Sequence, residues 1–210
     1  STRKESSAAS DVYKRQVRSR GLEVIGLTKN GESLRSRLAL AHRVLGDPWP
    51  DVSDEALLSR AEEWLDLDGL AAGQGSDATS GLRRMLGWQE SARLDEALPE
   101  TITVPSGSRI RVDYPEPGSD AAPVLAVKLQ ECFGWTDGPM ICDGRVKVVL
   151  HLLSPARRPL AVTDDLASFW ANVYPSVRAE NRGRYSKHPW PEDPLTAMPT
   201  KRTNRALGHS

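Results

Sequence analysis

Cysteine is scarce here: Cys132 and Cys142 are the 2 in 210 residues, too few to staple a scaffold with disulfides. Net charge is missing too, because 28 basic residues meet 28 acidic ones. The total therefore argues neither for a nucleic-acid binder nor for an acidic tail. No run of ~18 apolar residues occurs, and the opening Ser-Thr-Arg-Lys-Glu-Ser-Ser lacks the apolar stretch of a signal peptide. The expectation is a soluble, cytoplasmic chain with no membrane partner. No GxxxxGK followed by Ser or Thr is present to cradle a triphosphate, and no GxGxxG follows a strand. The GxSxG elbow, the HExxH helix and the CxxC pair are absent as well, which removes the common hydrolase, metalloprotease, zinc and thiol-redox signatures. The residue pattern proposes no catalytic and no metal-ligating side chain.

What is present is an uneven distribution of charge. Residues 1–46 carry 10 basic and 4 acidic side chains, 47–100 carry 4 and 13, 101–174 carry 7 and 8, and 175–210 carry 7 and 3. Basic ends bracket an acidic middle. The first 16 residues are polar, small and aperiodic, a composition that predicts disorder. Within them, Asp11-Val-Tyr-Lys-Arg-Gln16 resembles a translated adapter sequence, which would make residues 1–16 foreign to the protein.

Three helices follow. Leu34, Leu38, Ala41 and Leu45 share one stripe of a helix over 32–45, ended by Gly46-Asp-Pro48. Ser53 is placed to cap a second helix, with Asp54 and Glu55 at its positive end and Leu57, Leu58, Ala61, Trp64 and Leu65 as its apolar face. The acidic side chains Asp51, Asp54, Glu55, Glu62 and Glu63 fall on its solvent side. A Gly/Ser/Asp-rich loop over 68–80 leads to a third helix over 80–98, stopped by Pro99.

From Thr101 the periodicity becomes strand-like. Residues 101–104, 109–114, 124–130, 146–153 and 160–163 are short, rich in β-branched side chains and separated by turn clusters. Thr163 or Asp164 can cap a last helix carrying Leu166, Phe169 and Trp170, and four prolines from Pro189 to Pro199 impose an extended strap. The fold class expected is α+β: an N-terminal helical segment, then a compact, mostly antiparallel β-sheet or small barrel with a C-terminal helix and the proline-rich strap. The divisions are a disordered leader over 1–20, a helical segment over 21–98, a β-rich domain over 99–200 and a disordered tail over 201–210.

Most polar features have a structural reading. Pro105-Ser-Gly-Ser-Arg109 could hold a phosphate, but reads as a hairpin turn. His151 reads as a core histidine, the two cysteines as buried thiols, and Asp164-Asp165 as a helix cap. The C-terminal stretch is different. Arg178, Arg182, Arg184 and Lys187 interleave with Tyr174, Tyr185, His188 and Trp190, mixing phosphate-neutralising cations with flat rings on which single-stranded bases can stack. Arg178, Arg182, Arg184, Tyr185, Lys187 and Trp190 are the candidate nucleic-acid contacts. The competing reading makes Tyr185 and Trp190 pins for the strap, with the arginines paired to Glu180, Glu192 and Asp193.

Taken in order, five blocks carry a resemblance. They are Val104-Pro-Ser-Gly-Ser-Arg-Ile-Arg-Val-Asp-Tyr114, Leu125-Ala-Val-Lys-Leu-Gln-Glu131 before Phe133-Gly, His151-Leu-Leu-Ser-Pro155, Asp165-Leu-Ala-Ser-Phe-Trp170, and Arg182-Gly-Arg-Tyr-Ser-Lys-His-Pro-Trp-Pro-Glu-Asp-Pro194. Together they resemble the C-terminal domain of HrpB-type ATP-dependent helicases of the DEAH class. Leu45-Gly-Asp-Pro-Trp-Pro-Asp51 and Leu86-Gly-Trp-Gln-Glu90 resemble the segment leading into that domain. The resemblance implies a cytoplasmic RNA helicase driven by ATP and Mg2+, whose motor lies outside these residues, since the phosphate loop and DEAH box have no counterpart here. It implies an accessory role with no cofactor of its own, and RNA and the parent's motor domains as partners. The alternative is a protein-protein assembly module with no direct role on nucleic acid.

Overall fold

The computed structural model describes residues 2–73 and 77–208, with side chains from residue 8 onward. Among the described residues the chain divides into two compact units. The first comprises Ser1–Leu98 and Tyr114–Asp120; the second comprises Pro99–Asp113 and Ala121–Ser210. No helix among the described residues is long and apolar enough to cross a membrane.

The first unit is helical. Helix α1 spans Thr2–Arg20, where composition predicts disorder. It packs on α5 (Leu67–Ala71) by burying Val17 completely, while Lys14 pairs with Glu62 and the Tyr13 hydroxyl donates to the Val24 carbonyl. Helix α2 (Lys29–Leu45) is capped by the Thr28 hydroxyl and turns Leu34, Leu38 and Ala41 inward as their spacing predicts. The same face also swallows Arg37. The second expected helix is two, α3 (Asp54–Ser59) and α4 (Ala61–Trp64), broken at Arg60. The break lets Leu57 and Trp64 both become fully buried, with the Trp64 indole donating to the Leu57 carbonyl at 2.9 Å. Ser53 caps α3 as expected, and Asp51, Asp54, Glu55, Glu62 and Glu63 are exposed. The loop expected over 68–80 holds the end of α5, and its residues 74–76 lie outside the described residues. The third expected helix is α6 (Ala78–Arg84) and α7 (Trp88–Ala97), interrupted by extended Gly87.

The second unit is a mixed sheet with helices. Its strands are β1 (Thr101–Thr103), β2 (Arg109–Asp113), β3 (Val124–Lys128), β4 (Met140–Ile141), β5 (Val146–Lys147), β6 (Val149–Leu153) and β7 (Pro159–Thr163). Five of them form one sheet in the order β1-β2-β3-β6-β7, open at both edges, so the barrel alternative is discarded. Three of its pairs are antiparallel; β3 and β6 run parallel, Leu125 beside Leu150 and Val127 beside Leu152. The stretch 146–153, expected as one central strand, divides at Val148: its first half pairs with β4, and only its second half enters the sheet.

Helix α8 (Leu166–Asn172) is capped by Asp165 rather than Thr163 or Asp164, through its carboxylate on the Ser168 N–H at 3.0 Å. Helix α9 (Tyr174–Asn181) follows, with Pro175 in its first turn, where a missing N–H is harmless. Phe169, Trp170, Tyr174 and Phe133 are buried together, the Trp170 ring centroid lying 5.1, 5.3 and 6.1 Å from those of Phe169, Tyr174 and Phe133. The architecture is α+β. The tail expected to be disordered over 201–210 holds a short 3-10 turn over Arg205–Leu207; its residues 209–210 lie outside the described residues.

Candidate nucleic-acid interface

A proline-rich strap has carbonyls but few N–H groups, so whatever holds it must bring donors to it. That need decides the roles of several candidate residues. The Tyr174 hydroxyl donates to the Pro191 carbonyl at 2.6 Å, Arg178 Nε to the Trp190 carbonyl at 2.7 Å, and the Gly134 N–H to the Pro194 carbonyl at 2.9 Å. Gln130 Nε2 reaches the Pro189 carbonyl at 3.4 Å. The Trp190 indole, 8% exposed, donates in turn to the Tyr185 carbonyl. Burial pushes the Tyr174 hydroxyl up to about 12, against the pull of Arg178, so at neutral pH it remains the donor this contact requires.

The six predicted contacts therefore separate. Arg178 and Trp190 are struts: one guanidinium edge is committed to the strap, and the indole face is covered. The remaining charge of Arg178 meets Glu192 at 3.9 Å, and since that carboxylate is almost fully exposed the pair adds little. Arg182, Arg184 and Lys187 are exposed, and the three fall within the six residues that follow α9. Tyr185 is half-buried, with the Arg184 guanidinium carbon 5.7 Å from its ring centroid. His188, next along, titrates below its ordinary value, chiefly because burial disfavours the cation and secondarily through Lys128.

Two further cations, in the stretch expected to be a disordered tail, belong beside this group. The Asn204 N–H donates to the Lys187 carbonyl at 2.7 Å and its side-chain amide to the Ser186 carbonyl. These bonds return exposed Lys201 and Arg202 towards the basic turn. The available signal was the count of 7 basic residues over 175–210, which includes both.

The other candidates resolve as structure. In the 105–109 turn, the Ser106 and Ser108 hydroxyls both donate to Oε1 of Glu131, a carboxylate 5% exposed. A buried anion behind the turn repels phosphate, so the hairpin reading stands. His151 alternates with buried Leu150 and Leu152 and is half-buried on the opposite face of the sheet, not in the core. Cys132 and Cys142 are buried thiols not joined in a disulfide, and desolvation holds the Cys132 thiol up in its protonated form.

Four matches to known proteins bear on this geometry. The family model described as ATP-dependent helicase C-terminal, HrpB_C, matches residues 62–194. The ATP-dependent RNA helicase HrpB of Escherichia coli (strain K12) is 45% identical over 195 residues, which is 90% of this chain and 24% of that protein. A crystal structure of the E. coli DExH-box NTPase HrpB superposes with a TM-score of 0.80 at 45% identity, covering 90% of this chain and 24% of the other. A second, of the Escherichia coli DEAH/RHA helicase HrpB, gives 0.67 at 42% identity over 84% of this chain and 23% of that one. The chain thus spans about a quarter of the length of each relative.

Proposed function

Because this chain belongs to the HrpB C-terminal family of ATP-dependent helicases, we propose that it serves such a helicase as an accessory domain that touches the RNA path. Its contact is weak, salt-sensitive and centred on Arg182, Arg184, Tyr185 and Lys187. The observation carrying this reading is the set of three exposed cations on a turn that is hydrogen-bonded to α9 and to Asn204: charge on a backbone already ordered loses less freedom on meeting phosphates than charge on a floppy one. ATP hydrolysis, with the Mg2+ it requires, belongs in this proposal to motor domains elsewhere in the parent helicase, in the cytoplasm.

The test is a titration of labelled oligouridine at several salt concentrations, comparing the unaltered chain with an Arg182→Ala, Arg184→Ala, Lys187→Ala triple variant. Arg178 is left in place, since removing it would release the strap. The variant is expected to bind more weakly and to flatten the plot of log affinity against log salt by roughly one unit per lost phosphate contact. An unchanged slope would favour the assembly-module reading. One observation already speaks for that second reading: Trp88, on α7 of the first unit, is 80% exposed, as an unengaged interface anchor would be.

A further inference from the structure

The second unit carries a groove of about 820 Å3 that the basic turn does not account for. It is lined by Phe133, Trp190, Pro191, Met198 and Pro199, with Lys201 and Arg202 supplying its charge. Among the described residues no carboxylate lines it, and neither cation makes an ion pair.

Apolar surface and uncompensated positive charge together define the chemistry of an occupant: it must be anionic and must bring something apolar to bury. Single-stranded nucleic acid satisfies the first condition, but its bases need an open aromatic face to stack on. Both rings here, Phe133 and Trp190, are buried. The open apolar element is Met198, 80% exposed on the lip, an unbranched, polarizable side chain that adapts to aliphatic partners. Directly behind the wall, Gln130 donates through Nε2 to the Pro189 carbonyl and accepts the Thr200 N–H on its main-chain carbonyl. Pro189 and Thr200 both line the groove, so Gln130 braces this wall from behind.

We propose that this groove docks an extended acidic peptide segment of another protein, with an aliphatic side chain seated against Met198 and Pro199 and carboxylates on Lys201 and Arg202. The site is distinct from the RNA contact proposed for Arg182, Arg184, Tyr185 and Lys187. It therefore stands or falls separately.

The experiment is fluorescence anisotropy on the full 210-residue chain, using a short labelled peptide alternating glutamate and leucine. The same peptide with glutamine for glutamate, and labelled oligouridine, serve as comparisons. Saturable binding of the acidic peptide is expected, with the glutamine peptide about tenfold weaker or more. The Lys201→Glu, Arg202→Glu double variant should lose about tenfold in acidic-peptide affinity. Met198→Asp, at a site exposed enough to leave folding intact, should weaken the peptide and leave oligouridine binding unchanged, with a thermal melt confirming that each variant is folded. Equal binding of the glutamine peptide, or no binding of either, overturns the proposal. So does oligouridine that displaces the peptide and is weakened as much by Met198→Asp, which would make the groove part of the RNA path. If the double variant does not fold, Met198→Asp alone decides.

Discussion

Arg37 has only 1% of its side chain exposed, whereas its ion-pair partner Asp95 has 86% exposed. The two halves of this pair are therefore unequal. The guanidinium Nε also donates to the Leu98 carbonyl at 2.7 Å, so truncating the arginine leaves a buried acceptor unpaired and a hole where its stem lay. Arg37→Ala is expected to destabilise the chain by about 2–4 kcal/mol in urea unfolding, and Asp95→Ala by less than about 1 kcal/mol. Similar losses for the two would show that the ion pair, not the buried carbonyl contact, carries the energy. His188 provides a residue-scale pH prediction. Its folded-state value is depressed below the ordinary 6.5, so the fold prefers the neutral ring. That contribution is complete above the unfolded value and is lost as pH falls through the folded one. The melting temperature should decline as pH drops from neutral through the range below 6.5, and His188→Gln should decline less. Parallel declines would assign the effect to other groups.

At the scale of elements, close approach and donor supply decide what the local pattern leaves open. Helix α6 crosses α4 at Gly81, where a Cβ would run into the Trp64 main-chain carbonyl. Alanine is the better helix former by about 1 kcal/mol, yet the obstacle is backbone and cannot swing aside. Gly81→Ala is therefore expected to destabilise by about 1–3 kcal/mol, read as a lower denaturation midpoint; a rise would mean that the two helices separate without penalty. In the second unit, Trp170 ties α8 to the loop after Phe133 by donating its indole N–H to the Trp135 carbonyl at 2.8 Å, and its ring packs against three other aromatics. Trp170→Ala should remove about 3–5 kcal/mol. A thermal melt shifted by only about a degree would contradict that packing.

For the whole molecule, the chain neither stays in one unit nor crosses once. It leaves the first unit after Leu98, returns for Tyr114–Asp120 and departs again, and on that return the Ser119 carbonyl accepts from Arg43 of α2 at 2.7 Å. The 210 residues hold no phosphate loop to cradle a triphosphate. Phosphate release from ATP by the purified chain should stay at background with and without oligouridine; RNA-stimulated turnover that co-purifies with the chain through several columns would count against this. Much of this organisation was legible in the sequence because it is written in spacings of one to four residues. The Leu34, Leu38, Ala41 stripe, the Ser53 cap, the alternation of Arg109, Ile110, Arg111 and Val112, and the ordered family blocks all carry their meaning locally. Only the tertiary structure decided that Arg37 is interior, that β3 and β6 run parallel, that Val17 holds α1 in place, and that Arg178 and Trp190 fasten a strap while Arg182, Arg184 and Lys187 stay free of it. Each of those outcomes depends on which distant group supplies a missing donor, acceptor or apolar neighbour. A periodicity of two or 3.6 residues records which way a side chain points, and not what it meets there.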